Sequence, residues 1–555
     1  VNAQTTVRRV DWHPETAWQQ YCGFLALTPS EFNDVQERLL SEQLALLAPS
    51  PFGQKLLPAG RLGPDELRRR APLTSYEDYE GLVHPDSEGR LPAGPYVWSH
   101  TYYGPGREKW VPYSARAYER LLDNLMACLI LSAARFEGDV RIGPGSLLLY
   151  NVPERPYLSG HAAFGMADRF GLRGVLSPAE SEHMLFSDRI RTGFNLALRE
   201  QVEFMVSLTS VLVKVGDRFQ HRAAASGAGL NGHNGRNGHN GNGHQNGASA
   251  VRLNARAVGK VAKARLKSIV LRRPVRPYDL WDFKGILGWG LDTRHLNTLV
   301  EGYWGRPAIE LYGATEAGIM GVQASGASGI VLSPHSNFFE FIPDSELIRS
   351  QTNGPTGPAT VLLSEVRPGQ TYEVVVTNFY GMPLVRCRLG HLVRVREKAA
   401  AGWSAAPEFE YVGRSDQRID IAGFTRIEEG TVWQALRSAG LPVREWTLRR
   451  ERKHAGLKLH MYLESFATLN PAESAERIHA ALRDHDPLYK SLQDLLDLKP
   501  LEVTVLPSGT FERFQEARLR AGCQMPLAVV PKMNADDTLI NELLDAAGRP
   551  GPRPA

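Results

Sequence analysis

The stretch Glu310-Leu-Tyr-Gly-Ala-Thr-Glu-Ala-Gly318 constrains this chain more than any other, because it joins a basic, helix-like segment to a β-rich one. An apolar start followed by Tyr-Gly-x-Thr-Glu-x-Gly reads as a strand running into a tight turn. Gly313 and Gly318 let backbone come close to a ligand. Tyr312 offers a flat ring for a base. Thr315, after Ala314, offers a hydroxyl for a phosphate, and Glu316 offers a hard oxygen for magnesium. The same residues would also serve as an ordinary turn with a polar tip, so the reading depends on what the rest of the chain supplies.

With 555 residues the chain is long enough for two to four domains with sizeable cores. Its 43% hydrophobic and 22% charged residues are those of an ordinary globular protein. A net charge of +4 gives no reason to expect nucleic acid as a partner. Cys22, Cys128, Cys387 and Cys523 are widely separated and form no Cys-x-x-Cys. Neither a disulfide framework nor a zinc site is expected, and a cytoplasmic location fits best. The longest apolar patches, such as Leu125–Leu131, are too short to span a bilayer, so no membrane partner is expected.

Thr28-Pro-Ser-Glu31 reads as a helix start: Thr28 caps, Pro29 suits the first turn and Glu31 completes a capping box. Phe32, Val35, Leu39, Leu40, Leu44 and Leu47 follow at helical spacing. Ala115–Ala134 and Phe194–Val215 are expected as further long helices, with Ser146–Tyr150 as a buried strand between them. Residues 226–249, rich in Gly, Asn and His, lack the apolar groups to build a core and read as a flexible insertion. His233, His239 and His244 are soluble linker residues on this reading. The next segment, Val251–Arg276, carries nine Lys and Arg residues. A solvated helix face is the simpler account of it, and an anionic partner the other. From Ser328 to Arg396 the pattern turns to β, with Phe338–Ile342 and Tyr372–Thr377 as strands and turns at Pro343-Asp344 and Pro368-Gly369. Beyond Gly413-Arg-Ser-Asp416, a strand at Gln417–Ile421, a helix at Ile427–Ala439, a strand at Leu457–Leu463 and a helix at Ala472–Asp486 make a compact α+β module.

Seven blocks in this order resemble the acyl-adenylate-forming superfamily. More narrowly, they resemble the Gretchen Hagen family of auxin-responsive acyl-acid amido synthetases. They are Leu73–Tyr79, Ser99–Pro112, Leu311–Gly318, Asn337-Phe-Phe-Glu-Phe-Ile-Pro343, Tyr372–Val393, Tyr411–Glu428 and Ser508–Phe511. The resemblance implies an α/β fold with a large N-terminal adenylate-forming domain (1–412) and a small α+β C-terminal lid (413–530), followed by a tail (531–555). It also implies ATP and Mg2+, a small carboxylic acid that is first adenylated, and an amine, usually an amino acid, that then takes the acyl group. Carried over residue by residue, Tyr312 would stack on adenine, with Gly313, Ala314 and Thr315 beside the nucleotide. Glu316 would hold magnesium and act in catalysis, Arg414 would reach ribose or phosphate, and Asp416 would be the hinge. In the phosphate loop, Thr101, Gly106 and Lys109 match the family pattern.

Three departures stand against this. Tyr102, Tyr103 and Pro105 replace small hydroxyl residues in the loop, and Pro105 removes a backbone N–H. His391 stands where the family has an Asp that accepts from both ribose hydroxyls, and a neutral His has one acceptor nitrogen. Met525 stands where the family has a catalytic Lys, leaving Lys532 as the nearest replacement. An ATP-dependent ligase is therefore one reading. A relative that binds an acyl or nucleotide ligand, or a partner, without turnover is a second. A transferase using a pre-activated acyl donor is a third.

Overall fold

The computed structural model describes residues 7–58, 60, 62–102, 108–182, 184, 186–228, 254–289, 293–324, 329–352, 357–397, 403–415, 419–421, 425–453, 456–486, 489–490, 501–523 and 528–548. The expected insertion therefore lies outside the described residues beyond Ala228, and so do Gly106, Asp416 and Met525.

Two antiparallel strands, β1 (Val97–Tyr102) and β2 (Glu108–Tyr113), form a separate hairpin. Behind them stands an eleven-stranded sheet. One half is parallel: β3 (Leu147–Asn151), β4 (Arg173–Gly174), β5 (Phe204–Leu208), β6 (Gly285–Trp289) and β7 (Ile309–Ala314). The other half is antiparallel: β8 (Gly318–Gln323), β9 (Ile330–Leu332), β10 (Asn337–Pro343), β11 (Thr371–Asn378), β12 (Cys387–Val395) and β13 (Phe409–Arg414). β7 is the joint, parallel to β6 on one side and antiparallel to β8 on the other. The mouth of a sheet at such a change of strand order is where α/β folds bind ligands.

Local signals explain the elements around this joint. Thr28 and Glu31 form the capping box, with the Thr28 N–H donating to Glu31 Oε2 at 2.8 Å and the Glu31 N–H to Thr28 Oγ1 at 3.3 Å. The helix Pro29–Leu47 buries Phe32, Leu39, Leu40, Leu44 and Leu47. Ser114 caps the helix Ala115–Ala133, whose first half turns Arg116, Glu119, Arg120 and Asp123 to one face and whose second half, Leu125–Leu131, is buried on every side; it packs against β6 and β8. Phe338, Phe339 and Phe341 are buried core residues, and Glu340 beside them is fully buried in an ion pair with Arg386.

Several expectations change. The single helix Phe194–Val215 is three elements: a helix Phe186–Ala197, strand β5, and a helix Thr209–Ala228. A continuous apolar run such as Phe204–Leu208 has no period of its own, and its parallel neighbours β3 and β6 make it a buried strand. Asp344 opens a helix, Asp344–Thr352, where a turn was expected. Gly413 and Arg414 stay in the large sheet as the last residues of β13, opposite Leu392 and His391, so the sheet continues past residue 412.

The C-terminal region has a separate core under β16 (Val443–Lys453), β17 (Gly456–Ser465) and β18 (Leu501–Leu506), preceded by a small ribbon of β14 (Ile419–Ile421) and β15 (Thr425–Ile427). The tail expected from 531 onward is largely folded. Thr447 Oγ1 donates to Pro531 O, the Leu448 N–H to Lys532 O and the Asn534 N–H to Leu448 O. The helix Asp537–Ala546 buries Ile540, Leu543 and Leu544 against Tyr462 and Phe514. Its amphipathic pattern needs a partner face that only the assembled C-terminal region supplies.

Candidate functional site

The β7–β8 connection places Thr315, Glu316 and Ala317 at the sheet mouth. Its glycines answer first to the turn itself. A Cβ on Gly313 would stand 2.8 Å from Gly318 O, and Gly318 has φ +68°. The turn is held by its neighbours. Tyr113 Oη donates to Thr315 O at 2.6 Å, Asn378 Nδ2 to Glu316 O at 3.0 Å, and Asn337 Nδ2 to Ala317 O at 2.7 Å. Asn337 and Asn378 also bond to each other at 2.9 Å. The first residue of the Asn337–Pro343 block thus serves the turn, and its Glu340 serves the core.

Lys109 arrives on β2 and its Nζ forms an ion pair with Glu316 Oε1. The two side chains are 13% and 15% exposed. Burial alone would raise the Glu316 carboxyl, but the charge and hydrogen bond of Lys109, with a smaller contribution from His391, hold it below the usual carboxylate range. Lys109 Nζ also lies 4.6 Å from the centroid of the Tyr76 ring. Tyr76 is fixed in turn, since its Oη accepts from the Trp110 N–H and donates to Trp110 O, both at 2.8 Å. Thr101 is the register partner of Lys109 across the hairpin. Cys387 is close to the pair; burial first, and then Glu316, pushes its thiol up to about 12, so it is no nucleophile.

Tyr312 Oη lies 3.2 Å from His391 Nδ1. Burial first, and then the nearby Tyr411, raise the Tyr312 phenol well above its ordinary value. The Tyr312, His391 and Tyr411 rings form a cluster with centroids 5.5–6.0 Å apart. Tyr312 is only 4% exposed, so protein rings occupy the surroundings a base would need for stacking. Arg414, opposite His391 in the β12–β13 register, lies over Gly390, where an added Cβ would meet its guanidinium at 3.4 Å.

Lys532 belongs to another cluster. Its Nζ is 2.5 Å from Glu445 Oε2 and lies over Trp433 and Trp446 at 5.8 and 5.6 Å. Burial would raise the Glu445 carboxyl, but Lys532 and then Lys214, from the helix Thr209–Ala228, hold it low. The same helix meets the C-terminal region through Arg218–Glu512 at 2.7 Å and Lys214–Gln515 at 3.1 Å.

Sequence reasoning missed two polar groups. Ser99 Oγ and both side-chain polar atoms of Asn151 are buried with no hydrogen-bond partner among the described residues. Asn151 closes β3 at the same end of the sheet as the β7 turn, and a polar residue ending the apolar run Leu147–Tyr150 was the available signal. Tyr76 and Tyr411 were also missed, although both lie inside blocks that carried the resemblance.

Residues 330–414, from β9 to the end of β13, match the GH3 family central domain. The chain carries a GH3 central domain. It is 25% identical over 286 residues to the indole-3-acetic acid-amido synthetase GH3.3 of Arabidopsis thaliana, covering 46% of each. It is 26% identical over 221 residues to a human GH3 domain-containing protein, covering 37% of this chain and 39% of that one. These matches span less than half the length of either relative. In fold, it matches a solved structure of AtGH3.15 acyl acid amido synthetase in complex with 2,4-DB over 97% of both chains, with a TM-score of 0.66 and 17% identity. The two chains therefore share a fold.

Proposed function

We propose that this chain is an ATP-dependent ligase that adenylates a small carboxylic acid and passes the acyl group to an amine, such as an amino acid. The observation that carries the reading is the largely buried Lys109–Glu316 pair at the mouth of the sheet, in a fold shared with an acyl acid amido synthetase. A carboxylate is a poor electrophile, and AMP makes it a good one if phosphate charge is neutralised and water kept out. Lys109 is the cation for that charge. On ATP entry it exchanges Glu316 for a phosphate oxygen, which frees the Glu316 carboxylate. Glu316 fits magnesium, because its buried carboxylate is held ionised. Magnesium held there would supply further neutralisation of phosphate charge. His391 and Arg414, opposite each other in the β12–β13 register, are assigned to the nucleotide, His391 to its ribose and Arg414 to ribose or phosphate. The division at residues 415–418 between the large domain and the lid, with Asp416 as hinge, belongs to the same proposal. Lys532, bound to Glu445, is not assigned to the adenylation step in this lid orientation.

One observation favours a second reading, a ligand binder without turnover: the near-complete burial of Tyr312 beneath His391 and Tyr411. ATP–pyrophosphate exchange across a library of carboxylic acids separates the two. The ligase exchanges with at least one acid, Glu316→Ala lowers that rate by a factor on the order of 10²–10³, and His391→Asp tightens ATP binding in calorimetry by giving the ribose hydroxyls a two-oxygen acceptor. No exchange with any acid and no ATP binding by the wild type would establish the binder.

A further inference from the structure

The region around the insertion has a charge distribution unlike the rest of the chain. Between Asp217 and Asp279 there is no Asp or Glu, and there are twelve Lys and Arg, in a protein whose net charge is only +4. Within it, the helix Ala255–Val270 is capped by Asn254 Oδ1, which accepts from the Ala257 N–H at 2.9 Å. Its inner face is small: Ala257 and Ala264 are buried, and Val261 packs against the core around Trp281 and Phe283. Lys267 and Arg273 pin its C-terminal end to the buried Asp279 at 3.0 and 2.7 Å. The helix is thus firmly seated on the large domain.

Its outward face is apolar. Val258, Leu266, Ile269 and Val270 recur at three- and four-residue multiples on that face, and the last three are 64%, 74% and 71% exposed. Arg256 and Lys263 flank this stripe on one side, Arg265 on the other, and Arg272 lies beyond its end. These four have no ion-pair partner among the described residues. A solvated helix would turn such charges outward and its aliphatic groups inward; here the seating residues are alanines and the aliphatic groups face out. Lysine is depleted at the centre of protein–protein interfaces, whereas an aliphatic stripe between Lys and Arg side chains is the layout of a helix lying in a bilayer interface. The basic side chains reach headgroup phosphates while their stems follow the apolar groups inward.

We propose that the helix Ala255–Val270 docks this chain on the surface of an anionic lipid bilayer. No helix among the described residues is long and apolar enough to cross a membrane, and the earlier expectation of no membrane partner rested on spans alone. This inference does not depend on the ligase reading.

The test is flotation of the full chain with phosphatidylcholine vesicles, with and without about one third phosphatidylglycerol. Binding should be confined to the anionic vesicles and weaken with salt. Leu266→Glu with Ile269→Glu should reduce it to the level of neutral vesicles without lowering the melting temperature, since both side chains already face out. Removing Lys263 and Arg265 should weaken it about 25-fold, at roughly five-fold per cation. Failure to float with anionic vesicles at low salt, or flotation undiminished in the Leu266/Ile269 variant, overturns the proposal. So does a dimer in sedimentation that the same variant dissociates, or heparin binding that competes fully with vesicles and ignores Leu266 and Ile269.

Discussion

Replacing Lys109 by Met removes one member of the Lys109–Glu316 pair and leaves its partner in place. Both side chains are about six-sevenths buried, so the pair lies between the exposed and fully buried limits. At an effective dielectric near 20, two unit charges about 4 Å apart attract by roughly 4 kcal/mol, and dehydration of both groups offsets part of this. Breaking a fully buried pair costs about 3–5 kcal/mol and an exposed one under about 1. A cost of about 2–3 kcal/mol for Lys109→Met follows, or roughly 3–5 °C in a unit of this size. Glu316→Gln in the same background should restore most of it, because the stranded charge is gone, giving a coupling near 2 kcal/mol in the double-mutant cycle.

The pH dependence carries a sign. In the wild type the Glu316 carboxyl is depressed, so its contribution is present above the unfolded value and lost as pH falls through the folded one. Without Lys109, burial dominates and the folded value rises above the unfolded one. The penalty is then full near neutral pH and disappears as pH falls through the raised value. The gap in melting temperature between wild type and Lys109→Met should therefore be widest near pH 7 and close toward pH 4, read by scanning calorimetry. A gap that stays constant over that range, or a double variant as unstable as the sum of the singles, would refute the reasoning.

Two further outcomes follow from the core. Arg386→Met strands the fully buried Glu340, which also accepts from Thr360 Oγ1 at 2.6 Å, and should cost about 3–5 kcal/mol in urea unfolding; a loss under about 1 would show the pair to be dispensable. Burial raises the Cys22, Cys128 and Cys387 thiols, so Cys523, half-buried in the lid, should be the one fast-reacting thiol at pH 8 in a maleimide titration, and Cys523→Ser should abolish that phase. A second thiol reacting as fast would mean that one of the buried cysteines opens readily.

Much of this architecture is written in short-range pattern. The Thr28–Glu31 box, the helix after Ser114, and the strand–turn–strand at Ile309–Gln323 follow from cap chemistry, apolar spacing and a glycine with positive φ, each set within a few residues. The resemblance blocks likewise marked the turn at Glu316 and the strands that became β10 to β13. Tertiary structure decided what depends on distant partners. Lys109 meets Glu316 across 207 residues and Tyr312 meets His391 across 79, so the resting ion pair, the Tyr312–His391 contact and the burial of Tyr312 have no local signature. Phe204–Leu208 became a strand because β3 and β6 were there to pair with it, and residues 531–546 became part of the lid because β16 and Phe514 offered an edge and a face. The helix Ala255–Val270 shows the same division. Its basic residues were plain in the sequence, but only the seating of Ala257 and Ala264 on the core determined that Leu266 and Ile269 would face outward.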